Sequence, residues 1–145
     1  MVVVLMGPAG AGKSTIGHAL AGRLRWSFVD ADDLHSPASV AKMAQGIPLD
    51  DADRASWLDR VNGAMRTAAA DGSDLVVACS ALRERYRAQL TRKVPDVRWV
   101  FLRATRALLH ERLATRRGHF AGPALLDTQL MALEPPVGAI EIDAA

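Results

Sequence analysis

The residues Gly7-Pro8-Ala9-Gly10-Ala11-Gly12-Lys13-Ser14 complete the pattern G-x-x-x-x-G-K-[S/T] at the end of a short apolar run. That run is Val2 to Met6, and a helix-forming segment follows Ser14. A strand, a glycine-rich turn and a helix N-terminus in this order direct several backbone N–H groups and the helix dipole at one point. Residues 7–14 are therefore predicted to bind the phosphates of a nucleoside triphosphate, and we call them the phosphate loop.

Each residue type in the phosphate loop has a predicted task. The glycines let the backbone curl where a Cβ would clash. Lys13 can reach the β- and γ-phosphates of ATP, and the Ser14 hydroxyl can ligate Mg²⁺. The residues expected to bind the nucleotide here are Gly7, Gly10, Ala11, Gly12, Lys13, Ser14 and Thr15.

The composition narrows the class of protein. A chain of 145 residues, 50% hydrophobic and 23% charged with a net charge of +2, is expected to form a single domain over residues 1–145. Cys79 is the only cysteine, which excludes a disulfide framework and favours a reducing cytoplasm. The N-terminal apolar run is too short for a signal peptide or a membrane span. An aromatic content of 5% argues against a nucleic-acid partner.

Apolar strand patterns alternate with helical patterns along the chain, which predicts an α/β fold. We expect a three-layer sandwich, typical of P-loop NTPases, in which a five-stranded parallel sheet carries helices on both faces. The predicted strands are Val2 to Met6, Ser27 to Asp30, Leu75 to Cys79, Arg98 to Leu102 and Ala139 to Asp143. The predicted helices are Lys13 to Arg25, Pro37 to Gln45, Asp51 to Ala70, Leu82 to Arg92, Arg106 to Arg116, and one from Pro123 to before Pro135.

Two carboxylates lie at the end of the second predicted strand, on the side that faces the phosphate loop. Of Asp30 and Asp32, one can hold Mg²⁺ and the other can accept a proton from an attacking hydroxyl. The alternative is that Asp32 and Asp33 only cap a helix. The third strand ends without an acid, so either Asp30 takes the metal role or the site binds nucleotide without turnover.

Basic residues follow two later elements. Ser80 is a predicted helix N-cap, and Arg83 and Arg87 on one helix face would bind a carboxylate or phosphate beside it, unless they are only surface arginines. The segment from Arg112 through Arg116 to His119 predicts a lid at about residues 116–123 that closes over ATP. Its alternative is a basic helix C-terminus stabilised by the helix dipole.

Several separated segments together resemble the gluconate kinases, which are P-loop small-molecule kinases related to shikimate kinase. The phosphate loop is shared widely, whereas the other segments are more particular. They are Asp30-x-Asp32-x-Leu34-His35, Lys42-Met43-x-x-Gly46-x-Pro48-Leu49-x-Asp51-x-Asp53-Arg54-x-x-Trp57-Leu58, Cys79-Ser80-Ala81-Leu82 with Tyr86-Arg87, and Arg116-x-Gly118-His119-Phe120 with Leu125-Leu126 and Leu133-Glu134-Pro135.

The resemblance implies ATP-dependent phosphorylation of D-gluconate to 6-phosphogluconate by a homodimer. It implies that Asp30 organises Mg²⁺, that Asp32 orients or deprotonates the acceptor hydroxyl, that Arg112 lies near adenine and that Arg116 acts from the lid. The residues that it places on the sugar-acid side are Asp32, His35, Lys42, Arg54, Arg83 and Arg87.

The chain departs from the family pattern in places. Ser36 precedes Pro37 where many members have His-Pro directly, and Thr128-Gln129-Leu130 replaces Ser-Gln-Phe. The family's last helix, which covers the sheet, is expected to be missing after Asp143. The alternatives are a kinase for another hydroxy acid such as shikimate, disfavoured because no Gly-rich loop follows the third strand, and a nucleotide-binding protein with impaired turnover.

Overall fold

The computed structural model describes residues 1–115 and 123–145. The strands are β1 (Val2–Met6), β2 (Ser27–Asp30), β3 (Leu75–Ala78), β4 (Val97–Arg103) and β5 (Ile140–Asp143). The helices are α1 (Lys13–Leu24), α2 (Pro37–Ala44), α3 (Asp51–Asp71), α4 (Glu84–Leu90), α5 (Arg106–Thr115) and α6 (Pro123–Ala132), with a short 3₁₀ helix at Ala31–Leu34. In the described part of the chain, no helix is both long and apolar enough to cross a membrane.

The sheet has the order β2-β3-β1-β4-β5, and every neighbouring pair is parallel. β1 lies in the middle and is buried along its whole length. Successive side chains of a strand point to opposite faces, so Val2, Val4 and Met6 pack on one face and Val3 and Leu5 on the other. The predicted α/β class with a five-stranded parallel sheet is confirmed.

Helices cover both faces of the sheet. On the face of Val4, α3 contributes Trp57, Leu58, Val61 and Met65, and α4 contributes Leu90. On the face of Leu5, the contributors are Ala21 of α1, Leu109 and Leu113 of α5, and Leu126 of α6. The three predicted layers are therefore present.

Local capping explains where the helices on the first face begin. Asp50 and Asp53 form a reciprocal capping box at the start of α3. Ser36 caps α2 by accepting a hydrogen bond from the Ser39 N–H, and Pro37 occupies the first helical position. These contacts agree with the predicted starts of both helices.

The loop after β3 differs from the prediction. Helix α4 begins at Glu84 instead of Leu82, and Ser80 does not cap it. Ala81 has a φ of +46°, a left-handed conformation that interrupts any helix through this position. Instead, the Glu84 N–H at the helix start donates a hydrogen bond to the side-chain carboxylate of Glu134, at 3.0 Å. The capping side chain thus comes from a residue 50 positions away, and no local sequence pattern indicates it.

Gly17 of α1 lies against the aromatic ring of Phe28 on β2, and this contact generates a stability prediction. A Cβ at Gly17 would lie 2.4 Å from Phe28 Cε1, whereas a Cβ at Gly22 of the same helix would meet nothing within 4 Å. We expect Gly17→Ala to lower the free energy of unfolding by about 1–3 kcal/mol through overpacking. The matched Gly22→Ala should raise it by about 0.5–1 kcal/mol, because alanine favours a helix. Urea unfolding measures both, and equal effects would contradict the assignment of the clash.

Candidate active site

A cavity of about 410 Å³ lies at the carboxyl ends of the strands. This is where ligands bind in open parallel sheets. Its walls come from the phosphate loop, the segment after β2, the loop before α3, the start of α3, the loop after β3 and α6. The lining residues are Ala9, Gly10, Gly12, Lys13, Ser14, Asp32, His35, Met43, Gly46, Ile47, Pro48, Leu49, Arg54, Trp57, Leu58, Ser80, Ala81, Leu82, Tyr86, Leu125, Thr128, Gln129 and Ala132.

A second depression, of about 520 Å³, lies elsewhere along α3, beside Arg66 and Lys93. It is open to solvent and contains none of the predicted site residues. The first cavity is therefore the candidate active site.

The phosphate loop is shaped by close packing against β4 and α5. Gly7 has a φ of +151°, and a Cβ there would lie 2.9 Å from the Leu102 carbonyl oxygen. Gly10 has a φ of +87°, and a Cβ there would lie 3.2 Å from the Leu109 carbonyl oxygen. Gly12 is the N-cap of α1 and supplies no side-chain cap, so the helix start is suited to an anion.

Two of the predicted metal-site residues are in contact. The Ser14 hydroxyl donates a hydrogen bond to Asp30 Oδ2. The other carboxylate oxygen, Asp30 Oδ1, accepts the Asp32 N–H at 3.0 Å, so Asp30 also caps the 3₁₀ helix. Asp30 thus takes the capping role that the alternative interpretation gave to Asp32 and Asp33.

The pair of Ser14 and Asp30 fits Mg²⁺, because both offer hard oxygen ligands. Within residues 1–115 and 123–145, no group of three or more His, Cys, Asp or Glu side chains forms a protein-only metal site. Mg²⁺ commonly keeps several waters and takes substrate phosphates beside one or two protein ligands. The donor set therefore suits a metal that arrives with a nucleotide.

Asp32 and His35 both line the cavity. The His35 ring stacks on Trp57 with centroids 4.3 Å apart, and Trp57 Nε1 donates to the Ala31 carbonyl at 2.6 Å. Burial lowers the pKa of the His35 imidazole, although the nearby Asp32 carboxylate acts in the opposite direction. His35 Nδ1 is buried without a partner among the described residues. The ring therefore forms a wall of the cavity, and its burial favours the neutral imidazole.

Arg54 places a positive charge in the cavity. Its guanidinium is held by Asp51 at 3.2 Å and lies 5.2 Å from the centroid of the Tyr86 ring. Lys42, in contrast, is outside the cavity lining and donates to Asp53 at 2.6 Å. This hydrogen bond raises the pKa of Lys42 and lowers the pKa of Asp53. Lys42 thus ties α2 to the start of α3, the helix that carries Arg54.

Arg83 and Arg87 do not line the cavity. Arg87 donates to the Ala81 carbonyl at 2.7 Å and to the Glu134 carbonyl at 2.9 Å. Burial lowers the pKa of its guanidinium. In the structure, Arg87 and Glu134 instead join the loop after β3 to the segment after α6, and binding of an anion at this helix start stays a prediction.

The other predicted nucleotide-side residues are placed as follows. Arg112 donates to the Gly10 carbonyl at 3.1 Å and to the Ala144 carbonyl at 2.5 Å, so it links the phosphate loop to the end of β5. Thr15 is exposed on α1 and is not part of the cavity lining. Arg116 and His119 of the expected lid lie outside the described residues.

Gln129 belongs to the segment Thr128-Gln129-Leu130, and no task is predicted for it from the sequence. In the structure its side-chain oxygen accepts the Ala9 N–H of the phosphate loop at 2.7 Å. A single glutamine inside a helical pattern carries no signal for such a contact, since the two residues are separated by 120 positions.

Known proteins resemble the chain over nearly all its length. A family model described as an AAA domain matches residues 2–136. A probable gluconokinase of Xenopus tropicalis is 39% identical over 99% of this chain and 86% of its own length. The gluconokinase of Gluconobacter oxydans is 42% identical over 92% of this chain and 75% of its own length. The crystal structure of a gluconokinase from Sinorhizobium meliloti is 38% identical, with a TM-score of 0.87 over 99% of this chain and 82% of that chain.

The two carbonyl contacts of Arg87 predict a role in stability. Arg87→Met should lower the free energy of unfolding by about 1–3 kcal/mol, because it leaves the partly buried Ala81 carbonyl without this donor. Arg83→Met is the control, since the Arg83 side chain has no hydrogen bond or ion pair within the described residues, and its effect should stay within about 0.5 kcal/mol. Chemical denaturation measures both variants. An Arg87→Met protein as stable as wild type would contradict this role.

Proposed function

The chain belongs to the gluconokinase family and phosphorylates gluconate with ATP, and from this premise we propose which residues carry the reaction. One observation supports the assignment above all others. The phosphate loop, the Ser14–Asp30 pair and the cavity-lining Asp32, His35 and Arg54 meet at one cavity. That cavity therefore has a phosphate-binding end and an end suited to a small anionic acceptor.

The nucleotide occupies the phosphate-loop end of the cavity. Backbone N–H groups at the start of α1 donate hydrogen bonds to phosphate oxygens, and Lys13 adds positive charge beside the transferred group. Ser14 and Asp30 would hold Mg²⁺, and a bound Mg²⁺ would supply positive charge to the phosphates. The phosphate loop is completed by Gly7, Gly10, Ala11 and Gly12, and Arg112 supports it through the Gly10 carbonyl. Thr15, exposed at the start of α1, remains a predicted nucleotide contact, and Arg116 remains a predicted catalytic residue of the lid.

Asp32 is the base that accepts the proton of the attacking hydroxyl. Both oxygens of Asp30 are engaged, one by the Ser14 hydroxyl and one by the Asp32 N–H. The Asp32 side chain instead lines the cavity together with Lys13. The two aspartates therefore have different tasks, in which Asp30 supports the metal and Asp32 handles the acceptor.

The acceptor lies against His35 and Arg54. Arg54 supplies a guanidinium for the carboxylate of gluconate, and Asp51 together with the Tyr86 ring orients it. Lys42 acts indirectly, since its contact with Asp53 fixes the start of α3. Arg83 and Arg87 have no direct role in this proposal, because neither lines the cavity.

A coupled assay with ATP, Mg²⁺ and gluconate tests the proposed function, with shikimate as the comparison acceptor. We expect ADP to form with gluconate and not with shikimate. Nucleotide binding without ADP formation on gluconate would contradict a kinase that uses this cavity.

Substitution of the proposed base should affect chemistry more than nucleotide binding. Asp32→Asn should lower kcat by about 10²–10⁴-fold, the range that general bases contribute. The affinity for a non-hydrolysable ATP analogue should change less than about three-fold, since Asp32 faces the acceptor. Asp33→Asn is the matched control, because Asp33 is adjacent and does not line the cavity. Steady-state kinetics and calorimetry provide both readings, and full activity of Asp32→Asn would exclude its role as the base.

We further propose that the protein acts in the cytoplasm as a homodimer. A reducing compartment suits a chain whose only cysteine, Cys79, is a buried free thiol.

Apolar side chains near the edge strand support self-association, since Val137 is fully exposed and Ile140 is 61% exposed. Light scattering should therefore give twice the chain mass, and a monomer at assay concentrations would contradict the dimer.

A further inference from the structure

Helix α6 forms one wall of the cavity and packs on the core through Leu126. Leu125, Thr128, Gln129 and Ala132 line the cavity, at spacings that place them on one helix face. Leu126 is completely buried in the core on the face of Leu5. Helix α6 thus presents a polar side chain at position 129 to the cavity, while Leu126 packs in the core.

Gln129 makes a direct contact with the phosphate loop. Its side-chain carbonyl Oε1 accepts the Ala9 N–H at 2.7 Å, within the normal range of such hydrogen bonds. A backbone N–H can only donate, so the oxygen end of the amide must face Ala9. Ala9 is 7% exposed, and a buried N–H without an acceptor is costly.

Protein acceptors take three backbone donors between Gly7 and Ala11. The Gly7 N–H donates to the Ser80 carbonyl at 3.3 Å, and the Ala11 N–H donates to the Pro8 carbonyl at 3.2 Å. Pro8 has no N–H. Gln129 therefore supplies the acceptor for Ala9, while the uncapped start of α1 is left to face an anion.

We propose that Gln129 is a positioning residue, which holds the first half of the phosphate loop so that the start of α1 meets the nucleotide phosphates. It acts through Ala9 and not by touching the acceptor. The inference deepens the proposed function, on which it rests, because the same cavity must use a nucleotide.

The test compares Gln129→Met, which keeps the length of the side chain and removes the acceptor, with the wild-type chain. Met131→Gln is the reciprocal control on the same helix, since Met131 is 88% exposed. We expect Gln129→Met to raise both the Kd for ADP and the KM for ATP by about ten-fold, because it leaves a buried donor unpaired. The Kd for ADP is measured by calorimetry without sugar acid. The KM for gluconate should stay within about two-fold, and Met131→Gln should match wild type.

Hydrogen exchange of the Ala9 amide, followed by NMR without ligands, reports the contact itself. Exchange should become faster by about ten-fold in Gln129→Met. It should stay slow in Gln129→Glu, which keeps an acceptor oxygen. If Gln129→Met does not fold, fast exchange at Ala9 in Gln129→Glu would overturn the proposal.

Equal changes of both KM values in Gln129→Met, or an unchanged Kd for ADP, would also overturn the positioning role. A wild-type chain that binds ADP but does not phosphorylate gluconate would contradict the proposed function. The comparison of Gln129 variants by nucleotide affinity would remain valid in that case, so the two failures are distinguishable.

Discussion

The pairing of β1 on both of its edges is the constraint on which the rest of the structure depends. Because β3 and β4 flank β1, the chain that leaves Met6 must turn at the centre of the sheet. It turns there against the Leu102 carbonyl of β4, and the Ser80 carbonyl after β3 accepts the Gly7 N–H. The phosphate loop is therefore shaped by its neighbouring strands before any ligand binds.

The register of the sheet brings the acids to that loop. Leu5 pairs with Ala78, and Ala78 pairs with Asp30, so Asp30 ends β2 in the same row. Two strand spacings, about 10 Å, separate Asp30 from β1. The start of α1 bridges this gap and brings the Ser14 hydroxyl to Asp30. The contact between Ser14 and Asp30 is thus a consequence of strand order together with the length of the loop.

Polar contacts from α6 and the segment after it complete the cavity. Gln129 holds the phosphate loop, whereas Glu134 and Arg87 hold the loop after β3. The left-handed Ala81 makes that loop leave its strand without starting a helix. Both walls therefore depend on residues that follow position 122, although the phosphate loop is at the other end of the chain.

The features that the sequence determined depend on short-range interactions, whereas those that only the tertiary structure decided depend on long-range ones. Local periodicity, capping residues and the loop pattern determined the elements, the parallel sheet and the tasks expected of Lys13 and Ser14, because these depend on neighbours in the chain. Tertiary structure alone decided the start of α4, the engagement of Arg87 by carbonyls and the contact of Gln129 with Ala9. Each of these involves a hydrogen bond between segments far apart in the chain, from Glu84 to Glu134, from Arg87 to Glu134 and from Ala9 to Gln129. Such bonds leave no periodic pattern in a sequence.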